Sequence, residues 1–165
     1  MLVAFQVITV LVVAVAMALA LAHALEWPGK LRLSQHQYVA MQAIYYPGFT
    51  IGGAAEPVGI LMLAALMLMF PLGGPAFWLT AAALTCLIAM QAIFWGLTQP
   101  VNRYWVKDLE LEKAGSRFFA VDPFRLSSAQ PDWTYLRDRW EFSHVLRAVF
   151  GVASLILLVT AIAIT

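Results

Sequence analysis

The chain has 165 residues, of which 62% are hydrophobic and 12% are charged, and its formal net charge is +1. This composition is typical of a membrane protein and leaves little chain for a separate soluble domain. The single cysteine, Cys86, excludes a disulfide framework, and the loops interleave basic with acidic residues, which gives no support to nucleic-acid binding. We therefore predict one all-α integral membrane domain over residues 1–165.

Four long apolar runs dominate the sequence, at residues 2–25, 53–71, 75–98 and 140–164. A membrane-spanning helix needs about 20 apolar residues, so these runs predict four spans in an up-down-up-down four-helix bundle. The second run reaches that length only if it includes Glu56, which places this carboxylate at a helix mouth. No basic residue precedes the first run, which is longer than a signal-peptide core, so we expect a retained helix.

Two longer loops connect these runs on one side of the bundle. Residues 34–37 read Ser-Gln-His-Gln, a capping-box pattern, and predict a short interfacial helix that ends at Pro47-Gly48. The Gly-rich apolar stretch 49–57 must be buried in protein or line a cavity if it lies at membrane depth. In the second loop we expect a helix around 106–114 and irregular chain after it.

Basic residues are concentrated in the two longer loops. Lys30 and Arg32 follow the first run, and most of the other lysines and arginines follow the third. The N-terminus, the turn at 71–75 and the C-terminus carry none. The positive-inside bias therefore predicts cytoplasmic long loops and external termini, with the bacterial inner membrane as the expected location and membrane lipids as neighbours.

Polar residues mark one end of all four predicted spans. They are His23 and Glu26 after the first, Glu56 at the second, Gln99 and Asn102 after the third, and Glu141, His144 and Arg147 at the fourth. In an up-down-up-down bundle these ends meet at one leaflet. A charge inside a span is costly and usually faces the bundle interior beside a partner, so we expect one shared polar site.

Two of these segments place a histidine and a glutamate three residues apart, His23-x-x-Glu26 and Glu141-x-x-His144. This spacing puts both side chains on one helical face and occurs in carboxylate-bridged metal sites of helix bundles. One alternative is therefore an iron or copper site, for which the candidate ligands are His23, Glu26, Glu56, Glu141 and His144. In a second alternative these residues have a structural role only. Some are charges at the membrane interface, and others form a buried pair that closes the bundle.

The third run ends in a stripe at helical spacing, formed by Gln91, Trp95 and Gln99, and Pro100 follows it. Because Pro100 prevents the preceding turn from continuing cleanly, the amides of Gln99 and Asn102 can point into the bundle. Trp95 and Gln91 lie deeper than an interfacial aromatic belt. They either line an aromatic pocket or serve as packing and interhelical hydrogen bonds.

Three segments, together with the four spans, resemble the anthrone oxygenase-like family of small membrane proteins. They are Tyr45-Tyr46-Pro47-Gly48-Phe49, Gln99-Pro100-Val101-Asn102-Arg103-Tyr104-Trp105 and Trp140-Glu141-x-x-His144-x-x-Arg147. The resemblance covers about residues 25–149. It implies a four-helix membrane bundle and, from the fungal members, oxidation of a tricyclic anthrone to an anthraquinone by O2 without an added cofactor. Many bacterial members contain only a domain of unknown function, so the resemblance does not transfer a substrate.

The resemblance and the polar cluster together assign roles. His144, tuned by Glu141, is the expected base, and Arg147 and Asn102 are expected to stabilise the oxyanion that deprotonation creates. The residues expected to bind a small, flat, lipophilic substrate of the anthrone or quinol type are Trp95, Gln91, Gln99, Trp140 and Tyr46.

A non-catalytic interpretation uses the same residues. The chain would then be an accessory subunit, or would bind a lipid or quinone without turnover, either as a homo-oligomer or with a partner membrane subunit. The polar cluster would serve to fix the register of the helices.

Overall fold

The computed structural model describes residues 1–106, 113–121 and 132–165, and within these ranges all regular structure is helical. The α-helices are α1 (Leu2–Lys30), α2 (Gln35–Gln42), α3 (Gly48–Gly52), α4 (Ala55–Met69), α5 (Pro75–Ile93), α6 (Gln99–Trp105), α7 (Lys113–Phe119) and α8 (Trp133–Ala163). A π-helical segment, Phe94–Thr98, joins α5 to α6. The predicted all-α class is confirmed.

Four helical stretches are long and apolar enough to cross a membrane: Leu2–Lys30, Gly48–Met69, Pro75–Trp105 and Trp133–Ala163. They contain 29, 22, 31 and 31 residues, whereas a span needs about 20. These are the properties of an integral membrane protein, as the sequence predicted.

The helical stretches extend beyond the predicted spans at the polar end. The first helix continues to Lys30 instead of stopping at residue 25, the second begins at Gly48 instead of 53, and the fourth begins at Trp133 instead of 140. Hydropathy marks where a helix is apolar, whereas helical hydrogen bonding also continues through charged residues of good helix propensity. Lys30, Arg137 and Arg139 are therefore helical residues, although the charge pattern had placed them in loops.

The third span also passes its predicted end at residue 98, but the helix changes geometry on the way. Pro100 is the second residue of α6 and cannot donate to the backbone oxygen of Gly96, which accepts from Nη2 of Arg139 at 2.8 Å instead. The π-helical segment before it provides a wider turn of the kind often found at functional sites. The distortion expected from Pro100 is therefore present, and it lies in the segment that carries Trp95 and Thr98.

The shorter helices agree only in part with those predicted from the sequence. Ser34 forms the predicted capping box with Gln37, but α2 ends at Gln42 and not at Pro47-Gly48. The Gly-rich stretch is helical on both sides of Gly53, and several of its residues line a cavity. Most of the helix expected around 106–114 lies outside the described residues, and α7 is found where irregular chain was expected.

The long helices share one apolar core, in which α8 packs against α1 and α5 while α4 packs against the same two helices. The most deeply buried side chains of this core include Val13, Leu63, Leu66, Leu87 and Leu158. α1 and α8 approach closely, because a Cβ on Gly151 would lie 3.1 Å from the Cα of Met17. A smaller cluster around Tyr38, Trp105 and Trp140 packs beneath α2, at the polar end of the spans.

Candidate functional site

A cavity of about 350 Å³ lies at the end of the spans where α2, α3 and α7 pack. Its aromatic wall consists of Tyr45, Tyr46, Phe49, Phe94, Trp95, Trp105, Phe118, Phe119 and Trp140, and its polar groups include His23, Gln42, Glu56, Gln91, Asn102, His144 and Arg147. The volume is within the usual range for small-molecule sites. An apolar cavity of about 150 Å³ binds one benzene ring, so this cavity has room for a ligand of two or three fused rings.

Arg147 connects α8 to α4 through its guanidinium group. Its Nη2 donates to Oε1 of Glu56, and its Nη1 lies 3.1 Å from Nδ1 of His144. All three side chains are buried. Because a guanidinium only donates, Nδ1 of His144 must accept, and the proton of the neutral ring lies on Nε2. A buried charge is tolerated when paired in this way.

Gln91 extends this network to α5. The amide of Gln91 is assigned with its nitrogen toward Glu56, because only this orientation satisfies both of its neighbours. The nitrogen then donates to Oε2 of Glu56 at 2.9 Å, and the oxygen accepts from Nε1 of Trp95 at 2.9 Å. The stripe of Gln91 and Trp95 therefore serves both purposes that the sequence left open. It lines the cavity, and Gln91 provides a hydrogen bond between α5 and α4.

A second chain of hydrogen bonds runs from α8 to α7. Nε1 of Trp140 donates to Oδ1 of Asn102 at 2.8 Å, and Nδ2 of Asn102 donates to Oε1 of Gln99 at 3.1 Å. Nε2 of Gln99 then donates to the backbone oxygen of Phe118 at 2.7 Å. Gln99 lies behind the wall of the cavity, so it positions Asn102 and the Phe118 segment and does not face the cavity.

Lys30 is the centre of a second ionic cluster. Its Nζ lies 3.0 Å from Oε2 of Glu26, 3.6 Å from Oε1 of Glu141 and 3.4 Å from Nδ1 of His23. The ammonium is buried, whereas the charge pattern of the sequence predicts a loop position for Lys30. The spacing of His23, Glu26 and Lys30 along one helical face was the signal that could have revealed this cluster.

Two tyrosines complete the cluster from α2 and the turn after it. Tyr38 donates to Oε1 of Glu141 at 2.8 Å, and Tyr45 donates to Oε2 of Glu26 at 2.5 Å. Burial and then the charge of Glu141 raise the pKa of Tyr38 above its ordinary value. Burial and then the hydrogen bond to Glu26 do the same to the pKa of Tyr45. Both hydroxyls are therefore protonated donors at neutral pH.

His23 and His144 face each other with 4.1 Å between their ring centroids. Each ring has a cation at Nδ1, Lys30 for His23 and Arg147 for His144. Because neither cation can accept a hydrogen bond, both imidazoles are neutral with the proton on Nε2. The ring of Trp140 packs 4.9 Å from His23 and 4.3 Å from His144, which fixes the pair.

The metal alternative does not fit this arrangement. In residues 1–106, 113–121 and 132–165, no group of three His, Cys, Asp or Glu side chains is placed to hold a metal ion. The carboxylates of the proposed ligand set are already paired with cations, Glu56 with Arg147 and both Glu26 and Glu141 with Lys30. A metal ion would have to displace those cations, because an N–H donor and a metal compete for the same carboxylate oxygens.

The predicted site residues fall into two sets. Those that line the cavity are His144, Arg147, Asn102, Trp95, Gln91, Trp140, Tyr46, His23 and Glu56, and those behind its wall are Glu141, Gln99 and Glu26. Among the described residues Glu141 makes its hydrogen bond with Tyr38 and none with His144. Direct tuning of His144 by Glu141 is therefore not present, since Arg147 occupies Nδ1 instead.

The chain matches no protein-family model, no curated protein and no solved structure. The resemblance to the anthrone oxygenase-like family accordingly stays a prediction from three short segments. A function for the site depends on that resemblance and on the geometry of the cavity.

Proposed function

We propose that this chain is a membrane-embedded oxidoreductase that uses O2 to oxidise a small lipophilic aromatic substrate of the anthrone or quinol type. The spans would form an up-down-up-down bundle in the bacterial inner membrane, with the site at the cytoplasmic mouth. One observation carries the proposal. Nε2 of His144 and Nε of Arg147 have no hydrogen-bond partner among the described residues, and both side chains line an aromatic cavity.

These two N–H groups indicate that the ligand carries a hydrogen-bond acceptor. A buried donor without a partner costs about 1–3 kcal/mol, so a ligand oxygen that accepts from either of them recovers that part of the energy. The positive charge of Arg147 favours an oxygen that becomes negative during reaction. The carbonyl of an acidic ketone or the hydroxyl of a phenol has this property, and the aromatic wall suits the flat rings to which such groups are attached.

Glu56 is proposed as the base. It is the only carboxylate among the described residues that line the cavity. His144 is the base predicted from the sequence, but Arg147 donates to Nδ1 of that ring, which leaves Nε2 as a donor. The proposal therefore assigns oxyanion stabilisation to His144 and Arg147. Asn102 positions Trp140, because its amide oxygen accepts from that indole.

For an anthrone the reaction balances without an added cofactor. Glu56 removes a proton from the CH2 group, and the enolate oxygen accepts from Nε2 of His144 while the positive charge of Arg147 stabilises it. The enolate transfers one electron to O2, and the two radicals combine to form a carbon–oxygen bond. The proton on Glu56 returns to the distal oxygen, and loss of water leaves the second carbonyl. Each substrate thus consumes one O2 and releases one water.

The test is turnover of anthrone by detergent-purified protein, with O2 uptake and anthraquinone absorbance recorded together. We expect equal amounts of O2 consumed and quinone formed, at a rate above autoxidation in the same detergent. Glu56→Gln and Arg147→Met should each lower the enzymatic rate by about 10²–10³-fold, the usual effect of losing a catalytic base or an oxyanion donor.

Thr85→Val is the matched control, because Thr85 is an exposed residue of α5 whose hydroxyl bonds only within its own helix. It should retain the wild-type rate. A wild-type rate equal to autoxidation, or full activity in both site variants, would contradict the proposal. Saturable binding of anthrone without turnover would instead support the non-catalytic, quinone-binding alternative.

A further inference from the structure

His23 of α1 has a ring nitrogen that the contacts of the site leave unused. The side chain lines the cavity, and only 4% of the residue is exposed. Its Nδ1 lies 3.4 Å from Nζ of Lys30, and its Nε2 has no hydrogen-bond partner among the described residues. Protein atoms do not enclose Nε2 completely, so this nitrogen is accessible from the cavity.

The tautomer of His23 makes that nitrogen a donor. An ammonium group only donates hydrogen bonds, so Nδ1 of His23 accepts from Lys30 and the ring proton is assigned to Nε2. The opposite tautomer would need an acceptor at Nδ1. Oε2 of Glu26 lies 3.8 Å from Nδ1, which is too far for a hydrogen bond. His23 therefore presents an N–H group to the cavity.

The ring of His23 is held in place before any ligand binds. Its centroid lies 4.4 Å from that of Tyr45, 4.7 Å from that of Phe49 and 4.9 Å from that of Trp140. Lys30 fixes the ring from the Nδ1 side and places a positive charge behind it. A donor fixed in this way stabilises a negative oxygen without a cost for reorganisation.

His23 and His144 are close enough to contact the same ligand oxygen. Their ring centroids are 4.1 Å apart, and a ring nitrogen lies about 1.1 Å from its centroid, so the two Nε2 atoms are at most about 6.3 Å apart. One oxygen that accepts two hydrogen bonds of about 2.9 Å reaches donors up to about 5.8 Å apart. Nearly the whole range of possible separations therefore allows one oxygen to accept from both rings.

We infer that His23 is a second oxyanion donor, whose Nε2 contacts the same substrate oxygen as His144. This inference deepens the proposed function, from which it takes the identity of that oxygen. The proton stays on Nε2 throughout, so the balance of the reaction does not change. Lys30 is then a positioning residue, because it holds the tautomer in which His23 donates.

The first test measures binding without turnover. Detergent-purified protein is titrated with 9-fluorenone and with fluorene, and the heat of binding is recorded. The two ligands are flat tricycles that differ only in one carbonyl oxygen. His23→Phe keeps a flat ring but removes the N–H group, so it should weaken fluorenone about 3- to 10-fold, the effect of one hydrogen bond, and leave fluorene unchanged.

Two further variants make the binding test specific. His23→Gln should recover most of the affinity for fluorenone, because its amide can accept from Lys30 and still donate to the ligand. His36→Phe is the matched control, since it makes the same substitution at an exposed histidine of α2, and it should bind both ligands as wild type does. Unchanged fluorenone affinity in His23→Phe, or equal losses for both ligands, would overturn the inference.

The second test uses the oxidation of anthrone. The oxygen becomes negative only after deprotonation, so His23→Phe should lower kcat by about 10²–10³-fold, the usual effect of losing an oxyanion donor. KM should rise by no more than the loss of fluorenone affinity. A His23→Phe variant with the kcat of wild type would reject the role in oxyanion stabilisation.

The two tests separate this inference from the proposed reaction. Selective loss of fluorenone affinity in a protein that does not oxidise anthrone would leave His23 as a donor to the ligand oxygen and reject the oxidation. Oxidation of anthrone with fluorenone binding that is independent of His23 would reject this inference alone.

Discussion

Arg147 of α8 and Glu56 of α4 form a buried ion pair between residues that are 91 positions apart in the sequence. Gln91 of α5 donates to the other oxygen of the same carboxylate, so three long helices are joined at one point. The pair also orients His144, whose Nδ1 accepts from Arg147. The most important polar contact of the site is therefore also a contact that holds the helices together.

Removing one partner of this pair should destabilise the protein strongly. Arg147→Leu leaves Glu56 buried without its cation, and Glu56→Leu leaves Arg147 without its carboxylate. Each should lower the free energy of unfolding by about 3–5 kcal/mol, the usual cost of breaking a buried pair from one side. The double variant should recover most of that loss, because no unpaired charge remains. Reversible unfolding in mixed micelles, followed by circular dichroism, measures all three. Additive losses in the double variant would mean that the two charges do not stabilise each other.

Breaking the ionic cluster around Lys30 should also destabilise the protein. Lys30→Met removes the cation from Glu141, a carboxylate whose Oε2 has no hydrogen-bond partner among the described residues. We expect a loss of about 3–5 kcal/mol of stability. Glu141→Gln placed in the same chain should reduce that loss, since the amide carries no charge and can still accept from Tyr38. A double-mutant cycle measures the coupling, and a coupling near zero would show that Lys30 and Glu141 act independently.

Tyr38 should make stability fall at high pH. The folded state raises the pKa of Tyr38, so at pH values below the unfolded pKa of about 10 the hydroxyl is protonated in both states and its contribution is complete. Above that pH the unfolded chain releases a proton that the folded chain keeps, and the free energy of unfolding falls by up to about 1.4 kcal/mol per pH unit. Tyr38→Phe should remove this part of the slope. Unfolding free energies between pH 8 and 11 provide the test, and equal slopes in wild type and variant would refute it.

Gly151 should not tolerate a larger side chain. A Cβ at this position would lie 3.1 Å from the backbone Cα of Met17, and backbone cannot rotate away as a side chain can. Gly151→Ala should therefore cost about 1–3 kcal/mol by forcing α1 and α8 apart. Gly29→Ala is the matched control, because nothing lies within 4 Å of a Cβ there, and it should be neutral or stabilising. Thermal unfolding of both variants checks the difference, and equal stabilities would show that the two helices can separate without cost.

Much of the architecture could be predicted because its signals are local. The four spans follow from apolar composition over about 20 residues, and the capping box of α2 follows from Ser34 and Gln37 alone. The distortion before Pro100 was also predictable, because proline lacks an N–H wherever it occurs. The exact ends of the helices were not predictable, since hydropathy does not report helical hydrogen bonding through Lys30 or Arg137.

Hydropathy and residue spacing suffice to predict the membrane class and to place His23, Glu56, His144 and Arg147 near one end of the spans. Which charge pairs with which depends on how the helices pack. Lys30 is neutralised by Glu26 and Glu141, and this leaves Glu56 for Arg147. The physical reason is that the energy of a buried charge depends on distances of a few ångströms between side chains from different helices. Those distances are set by how the helices pack, and no pattern within a single helix contains them.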